Sequence, residues 1–429
     1  MSISKGLNIR TKIDLKEHSQ IIKYTWDTFA QYAGFDCEYI DESPDIIIGG
    51  SENADIKISE IFLKNLSDKN YTHEDWFKEK PLLIAGDGQP DYLGTCFYMI
   101  NCLQELGTEA KDKFGRFDYE ISYQKKFDCV KENLVAGYFD KIIEGNKFLS
   151  SETGKITRKS KFFLSHDIDN IYGNTKLEAH HAAKCLNIGL LLQLMMNKIL
   201  HNPTNLNIND ILKLEDEYQV RSTFYWMVVR GKARDGMRNS DYNFNSSHIQ
   251  KAVSLIKGRG LEIGLHKAIS DTSYSEELKI LKNDARSNRN HFLKINLPDS
   301  FAKMEEANIE MDCSLGFAQT YGFRNSYGLP YHPFDMDAEK PLKLLEVPLH
   351  IMDATFYYYL KTRPEKATID ILDFLEKNKE NTVISLLFHN NFLTKYKFKD
   401  YLQMYKSVLE YIHDGGFETL TPTDLIENF

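Results

Sequence analysis

Apolar and polar positions alternate in blocks along the chain, and the blocks differ in kind. Short continuous apolar runs at 161–164, 222–229, 261–265, 291–297, 344–349 and 383–388 read as strands buried on both faces. Between several of them, 246–257, 276–285 and 368–377 carry apolar residues at helical spacing. Apolar strands alternating with helices predict parallel β/α units, and about seven such units predict a closed or nearly closed barrel. Upstream, 21–32 and 92–106 have helical spacing. The runs Asp45-Ile46-Ile47-Ile48-Gly49-Gly50 and Pro81-Leu82-Leu83-Ile84-Ala85-Gly86 read as short strands ending in glycine turns. The polar stretch 151–160 reads as a linker. The expected organisation is therefore an N-terminal α/β domain over 1–150, a linker over 151–160 and a barrel over 161–429.

In a barrel of parallel strands, chemistry gathers at the C-terminal ends of the strands. Those positions here hold unusual polar residues. Ser165-His166-Asp167-Ile168-Asp169 closes the first run, and two carboxylates after a buried strand need a balancing cation; a helix cap by Asp169 is the plain alternative. Glu262-Ile263-Gly264-Leu265-His266 ends the third run on an imidazole, a good ligand for a divalent metal. Arg289-Asn290-His291 offers a guanidinium that can grip a carboxylate and a second imidazole that is either a ligand or packed. Asp353 follows the fifth run, and His389 with Asn390 follows the last; a His held by a carboxylate suits acid–base work. Each signal is weak alone, and five in succession point to a site. The aromatic and glycine-rich stretch 312–337, with Tyr327 and Arg324, is either a wall that stacks on sugar and meets an anionic group or a satellite core cluster.

Composition narrows the classes. The 429 residues carry a net charge of −9, and no block of Lys or Arg stands out, so nucleic acid is not an expected partner. Six cysteines without a CxxC pair suggest neither a zinc-thiolate site nor a disulfide scaffold. The 24 Tyr and 26 Phe fit a packed core or a carbohydrate site equally. The N-terminus lacks the apolar segment of a secretory leader, and no run is long enough to span a membrane, so a cytoplasmic protein is expected. The most apolar stretch, 185–200, reads as a helix buried in the core or a groove rather than a lipid contact.

The order of SHDID at 165–169, EIGLH at 262–266, RNHFLKI at 289–295, DCSLGF at 312–317, GFR at 322–324, LLEVPLHIMD at 344–353 and LLFHN at 386–390 resembles the polysaccharide deacetylase (NodB-homology, carbohydrate esterase 4) family. The likeness is to its Ser-His-Asp-x-Asp branch, in which an extra N-terminal domain often precedes the barrel. The resemblance implies a deformed (β/α)7 barrel and removal of acetyl groups, mostly N-linked, from an acetylated sugar, oligosaccharide or glycan precursor. It implies one divalent metal, commonly zinc, with nickel or cobalt as alternatives. By position, Asp167 matches the general base, Arg289 its partner, Asp169 and His266 metal ligands, and Asp353 with His389 the general-acid pair. One position departs: the second metal His of the family is Ser270 here. His291 is the candidate replacement and His166 a second one. Without a third ligand, a non-catalytic sugar-binding relative is the alternative, and another metal-dependent amide hydrolase a further one.

Overall fold

The computed structural model describes residues 6–429 apart from 87, 155, 174, 201, 202, 204, 283, 395 and 396. The first five residues, and residue 155 of the expected linker, thus lie outside the described residues. The chain is an α/β protein built on an eight-stranded parallel sheet that curls into a half-barrel. In spatial order its strands are Leu345–Glu346, Met311–Asp312, Ser287–Asn290, Ile263–Lys267, Ser222–Trp226, Lys161–Ile168, Val383–Leu387 and Ile351–Met352. The two edge strands belong to one stretch of chain, joined only by residues 347–350. The His350 N–H donates to Ser385 O, and the Val347 N–H to Asp312 O, on opposite edges of the sheet. Counted as one interrupted strand, 345–352 makes seven strand positions, and the eighth strand is the price of that break.

The central strand Lys161–Ile168 is buried over its last seven residues, so neither face can be polar without internal partners. Helices pack outside. Tyr274–Ile280 begins with a Ser273/Glu276 capping box, and Pro364–Lys377 starts on a proline whose missing N–H costs a first helical turn nothing. Their apolar stripes and the outer sheet face form one core around Phe162, Leu164, Phe224, Trp226, Ile371 and Leu386.

One strand was misplaced by the hydrophobic pattern. The run 291–297 is not a strand; the strand is the polar Ser287–Asn290, and His291–Leu293 is a 3-10 turn. Side-chain hydrogen bonds replace apolar packing in that strand: Asn288 Nδ2 donates to Asp312 Oδ1 at 2.7 Å, and Arg289 Nε to Cys313 O at 3.1 Å. Phe292 and Leu293 then take positive φ (59° and 53°), which turns the chain sharply out of the sheet.

The N-terminal region has its own parallel sheet of Asn8–Asp14, Asp36–Tyr39, Ile46–Gly49 and Ile56–Lys57, covered by Ser19–Ala33, on which Tyr92–Ile100 packs in turn. The run at 81–86 gives only Leu83–Ile84, paired antiparallel with Pro90–Asp91. A single apolar core runs from Trp26, Phe29 and Phe97 into Phe163, Tyr225, Met311 and Val383 of the barrel. The stretch 151–160 is pinned down rather than free: Arg158 donates to Tyr32 O and to Asn381 Oδ1, and Ser160 Oγ to Asn378 O.

The apolar stretch 185–200 forms the helix Ile188–Ile199, packed on Thr175–Lys184. Contrary to expectation it is not in the core. Leu190 and Leu194 are buried, while Ile188, Leu192, Met195, Met196 and Ile199 are exposed. Among the described residues no helix is long and apolar enough to cross a membrane.

Candidate metal centre and acid–base site

Because the strands run parallel, the residues at their C-terminal ends emerge at the same end of the sheet, and the fold brings seven of the expected residues together there. His266 Nε2 lies 3.1 Å from Asp169 Oδ1 and 3.1 Å from His291 Nδ1, and His291 Nδ1 lies 3.6 Å from Asp169 Oδ1. These three residues form a possible metal-binding triad.

The second nitrogens fix what the first can do. His266 Nδ1 sits 2.9 Å from the carbonyl of Arg289, and His291 Nε2 sits 2.9 Å from the carbonyl of Arg238. A carbonyl only accepts, so both of those nitrogens carry the proton. In the neutral rings the facing nitrogens then present lone pairs to each other and to Asp169 Oδ1, a buried oxygen with no hydrogen-bond donor. Three bare donors converging on one point repel unless a cation, a proton or a metal ion, stands between them. Ligands on a tetrahedral zinc at about 2.1 Å lie roughly 3.4 Å apart, and the three separations here bracket that value. The backbone carbonyls play the outer role that orients metal-bound imidazoles. The residues present therefore fit a divalent cation.

Charge in the cluster agrees. Burial alone would raise the Asp169 carboxyl; the His291, His266 and His389 rings around it instead hold it below the ordinary range. Burial acts against the charged form of His266, but Asp167 and Asp169 raise its pKa overall. His291 is lowered to about 4 by burial, which keeps it neutral and ready to ligate.

Beside the triad stand two supported groups. Asp167 Oδ1 accepts from Arg289 Nη1 at 3.1 Å, and the same nitrogen donates to Ser165 Oγ at 2.8 Å. The Arg289 guanidinium lies over the Tyr225 ring at 4.8 Å. Gly264 makes room for that ring: a Cβ there would fall 2.2 Å from Tyr225 Cε1. On the other side, Asp353 is fully buried and takes the Nδ1–H of His389 at 2.6 Å and its backbone N–H at 2.7 Å. Burial opposes the imidazolium, yet Asp353 outweighs it and raises His389 to about 9. His389 Nε2 is left facing Asp169 Oδ2 at 3.8 Å. Asp167, Asp169, His291 and His389 all line one pocket of about 310 Å³.

Other expected residues lie elsewhere. Ser270 Oγ donates to Glu277 Oε1 at 2.9 Å and is not part of the triad, whose third member is His291. His166 turns the other way, to Glu215 at 2.8 Å and the Phe388 carbonyl at 2.8 Å. Arg324, expected at an anionic group of a ligand, is a buried partner of Glu105. Tyr327, expected in a sugar-stacking wall, is a core residue packed edge-on against Phe139. Asn390 is fully buried, and its Nδ2 ties the Asn170 and Asn205 carbonyls together; its neighbour Asn391 reaches the pocket instead. The aromatic residues of 312–337 are neither a ligand wall nor, apart from Phe317, a satellite cluster: Tyr321 and Phe323 join the barrel core, and Tyr327, Tyr331 and Phe334 join the core shared with the N-terminal region.

The pocket also has residues the sequence did not flag. Arg116, from the N-terminal region, closes one wall; it pairs with Asp112 at 2.6 Å, donates to Phe292 O at 2.9 Å and to the Tyr359 hydroxyl at 3.0 Å. Phe292, Tyr358, Phe392, Arg238 and Asn239 line the rest. No periodicity marks them, because they stand in loops that only the closed fold brings together.

A family described as "Family of unknown function (DUF7033)" matches residues 11–153, about a third of the chain and the part that carries Arg116. No curated protein matches the chain.

Proposed function

We propose that the protein is a metal-dependent deacylase that removes an acetyl group, N-linked in the first instance, from a sugar. One observation carries this reading: the Asp169–His266–His291 convergence stands between a guanidinium-held carboxylate, Asp167, and a carboxylate-held imidazole, His389. Metal-assisted amide hydrolysis uses those three functions in one pocket. A divalent cation bound to the triad would supply Lewis acidity to an acyl carbonyl and acidify a water. Asp167, oriented by Arg289, accepts the proton of the attacking water. His389, charged at neutral pH and aimed by Asp353, gives a proton to the leaving amine. Aromatic side chains Phe292, Tyr358 and Phe392 give the pocket faces on which a sugar ring can lie. The choice of a sugar, and of zinc over nickel or cobalt, rests on the resemblance to the polysaccharide deacetylase family, as does a NodB-like classification of the half-barrel.

The test is a screen of N-acetylated and O-acetylated mono- and oligosaccharides, with released acetate as the readout, on protein loaded with zinc, nickel or cobalt. Acetate release that stops on chelation and in His389→Ala supports the reading. Release indifferent to chelator, or none on any acetyl sugar from protein shown to hold one metal per chain, overturns it.

A further inference from the structure

A second cleft, of about 850 Å³, opens directly off the catalytic pocket and shares Asn170, Arg238, Asn239, Tyr358, Asn391 and Phe392 with it. Its charge contradicts that of the whole molecule. The chain carries −9, yet the cleft is lined by Lys198, Arg230, Lys232, Arg238 and Lys397. Among the described residues none of the five has a carboxylate within ion-pair distance. The one acidic residue of the lining, Asp241, is spent on the backbone N–H groups of Ile171 and Tyr172 at 2.9 and 3.1 Å. Unpaired cations collected in a concave site repel one another and lower stability, so their concentration here calls for an anion. A single carboxylate is satisfied by one guanidinium fork. Five cations from three separate stretches of chain suit a larger anion with several acceptor oxygens. Phe392, Phe398 and Tyr358 add aromatic faces on the same walls.

We propose that this cleft binds a diphosphate group carried by the substrate, so that the sugar entering the metal pocket is a diphosphate-linked precursor. The proposal rests on the acyl-sugar reading only in making the anion part of the substrate; binding of diphosphate to the cleft requires neither the metal nor turnover. Two sources share that chemistry, a nucleoside diphosphate sugar and a lipid-diphosphate sugar. Both fit the surroundings: the aromatic rings can take a base, and the helix that carries Lys198 exposes Leu192, Met195, Met196 and Ile199 where a prenyl tail could lie.

The experiment is calorimetric titration of the full chain with inorganic pyrophosphate, at low and raised salt. Three proteins are compared: wild type, His266→Ala, and Arg230→Gln with Lys232→Gln. Both substituted cations are exposed, and circular dichroism checks that the fold is kept; Lys397→Gln is the second variant should the double one misfold. Wild type and His266→Ala are expected to bind alike, with affinity falling as salt rises. The charge variant is expected to lose about tenfold or more. Binding that disappears in His266→Ala and survives the charge substitutions is chelation at the triad and overturns the proposal while leaving the metal reading intact. No binding to wild type overturns it as well. Uridine diphosphate and farnesyl diphosphate form the final arms. Whichever binds tighter than pyrophosphate assigns the source, and two ligands both weaker than pyrophosphate would refute the cleft as the site of a diphosphate-linked substrate.

Discussion

His266 Nε2 and His291 Nδ1 face each other at 3.1 Å while the opposite nitrogen of each ring is committed to a backbone carbonyl. Neither ring can flip to relieve the contact without leaving a buried carbonyl unpaired, which costs about 1–3 kcal/mol. The geometry of the pair therefore fits a cation between the two nitrogens. Elemental analysis of protein purified without chelator should find one divalent ion per chain. Asp169→Asn, His266→Ala and His291→Ala should each weaken metal binding by more than the 10–100-fold typical of losing only an outer partner. Bound metal should raise thermal stability, by roughly 2.7 kcal/mol at a free concentration a hundredfold above Kd. Full metal retention in His291→Ala would remove that residue from the centre.

Binding and chemistry separate at the neighbouring groups. Asp167 is gripped by Arg289, and His389 by Asp353. Asp167→Asn and His389→Ala should keep the metal and the fold, and each should lower kcat by about 10²–10⁴-fold. Asp353→Asn should act through His389, lowering kcat with little change in KM. Equal losses of metal and activity in Asp167→Asn would make that carboxylate a ligand instead of a base.

Much of this site was legible because parallel strands announce themselves as apolar runs and their ends are fixed by the following polar residue. Asp167, Asp169, His266, Asp353 and His389 were found that way. Arg289 sits in a strand that periodicity missed, since Ser287–Asn290 satisfies its buried side chains with hydrogen bonds instead of apolar contacts. Composition alone misled at Arg324 and Tyr327: a loop rich in aromatics looks the same whether it faces a ligand or a second core. Arg116 left no trace in the sequence, because its place in the pocket depends on how the N-terminal region packs on the barrel.

Arg324 and Glu105 make a two-pronged pair at 2.9 and 2.7 Å, almost fully buried, between the barrel and the N-terminal region. Arg324 Nη1 also donates to Gly316 O at 3.0 Å. Stranding one buried charge costs about 3–5 kcal/mol, whereas replacing both by apolar groups of similar volume is often close to neutral. Arg324→Met and Glu105→Leu should each destabilise by about that amount in denaturant titration, and the double variant by much less. Additive losses would mean the two side chains act separately. In the folded population at low temperature, KM should be unchanged, as befits a residue outside the pocket.

The last edge strand carries an acid-sensitive joint. His350 Nδ1 accepts the Ser385 N–H at 3.0 Å, which fixes one side of the half-barrel to Val383–Leu387. Burial pushes its pKa down to about 3, with the Tyr327 backbone opposing only in part. The folded ring thus stays neutral where the unfolded one, near 6.5, takes up a proton. Its stabilising contribution is complete above pH 6.5 and is lost as pH falls toward 3, at up to about 1.4 kcal/mol per pH unit. His350→Leu strands the Ser385 N–H and should be less stable than wild type at pH 7.5. Because the variant has no proton to gain, its deficit should narrow at about that rate below pH 6.5. Urea denaturation of both proteins between pH 7.5 and 4.5 measures it, and parallel profiles would show that His350 titrates alike in the folded and unfolded chains.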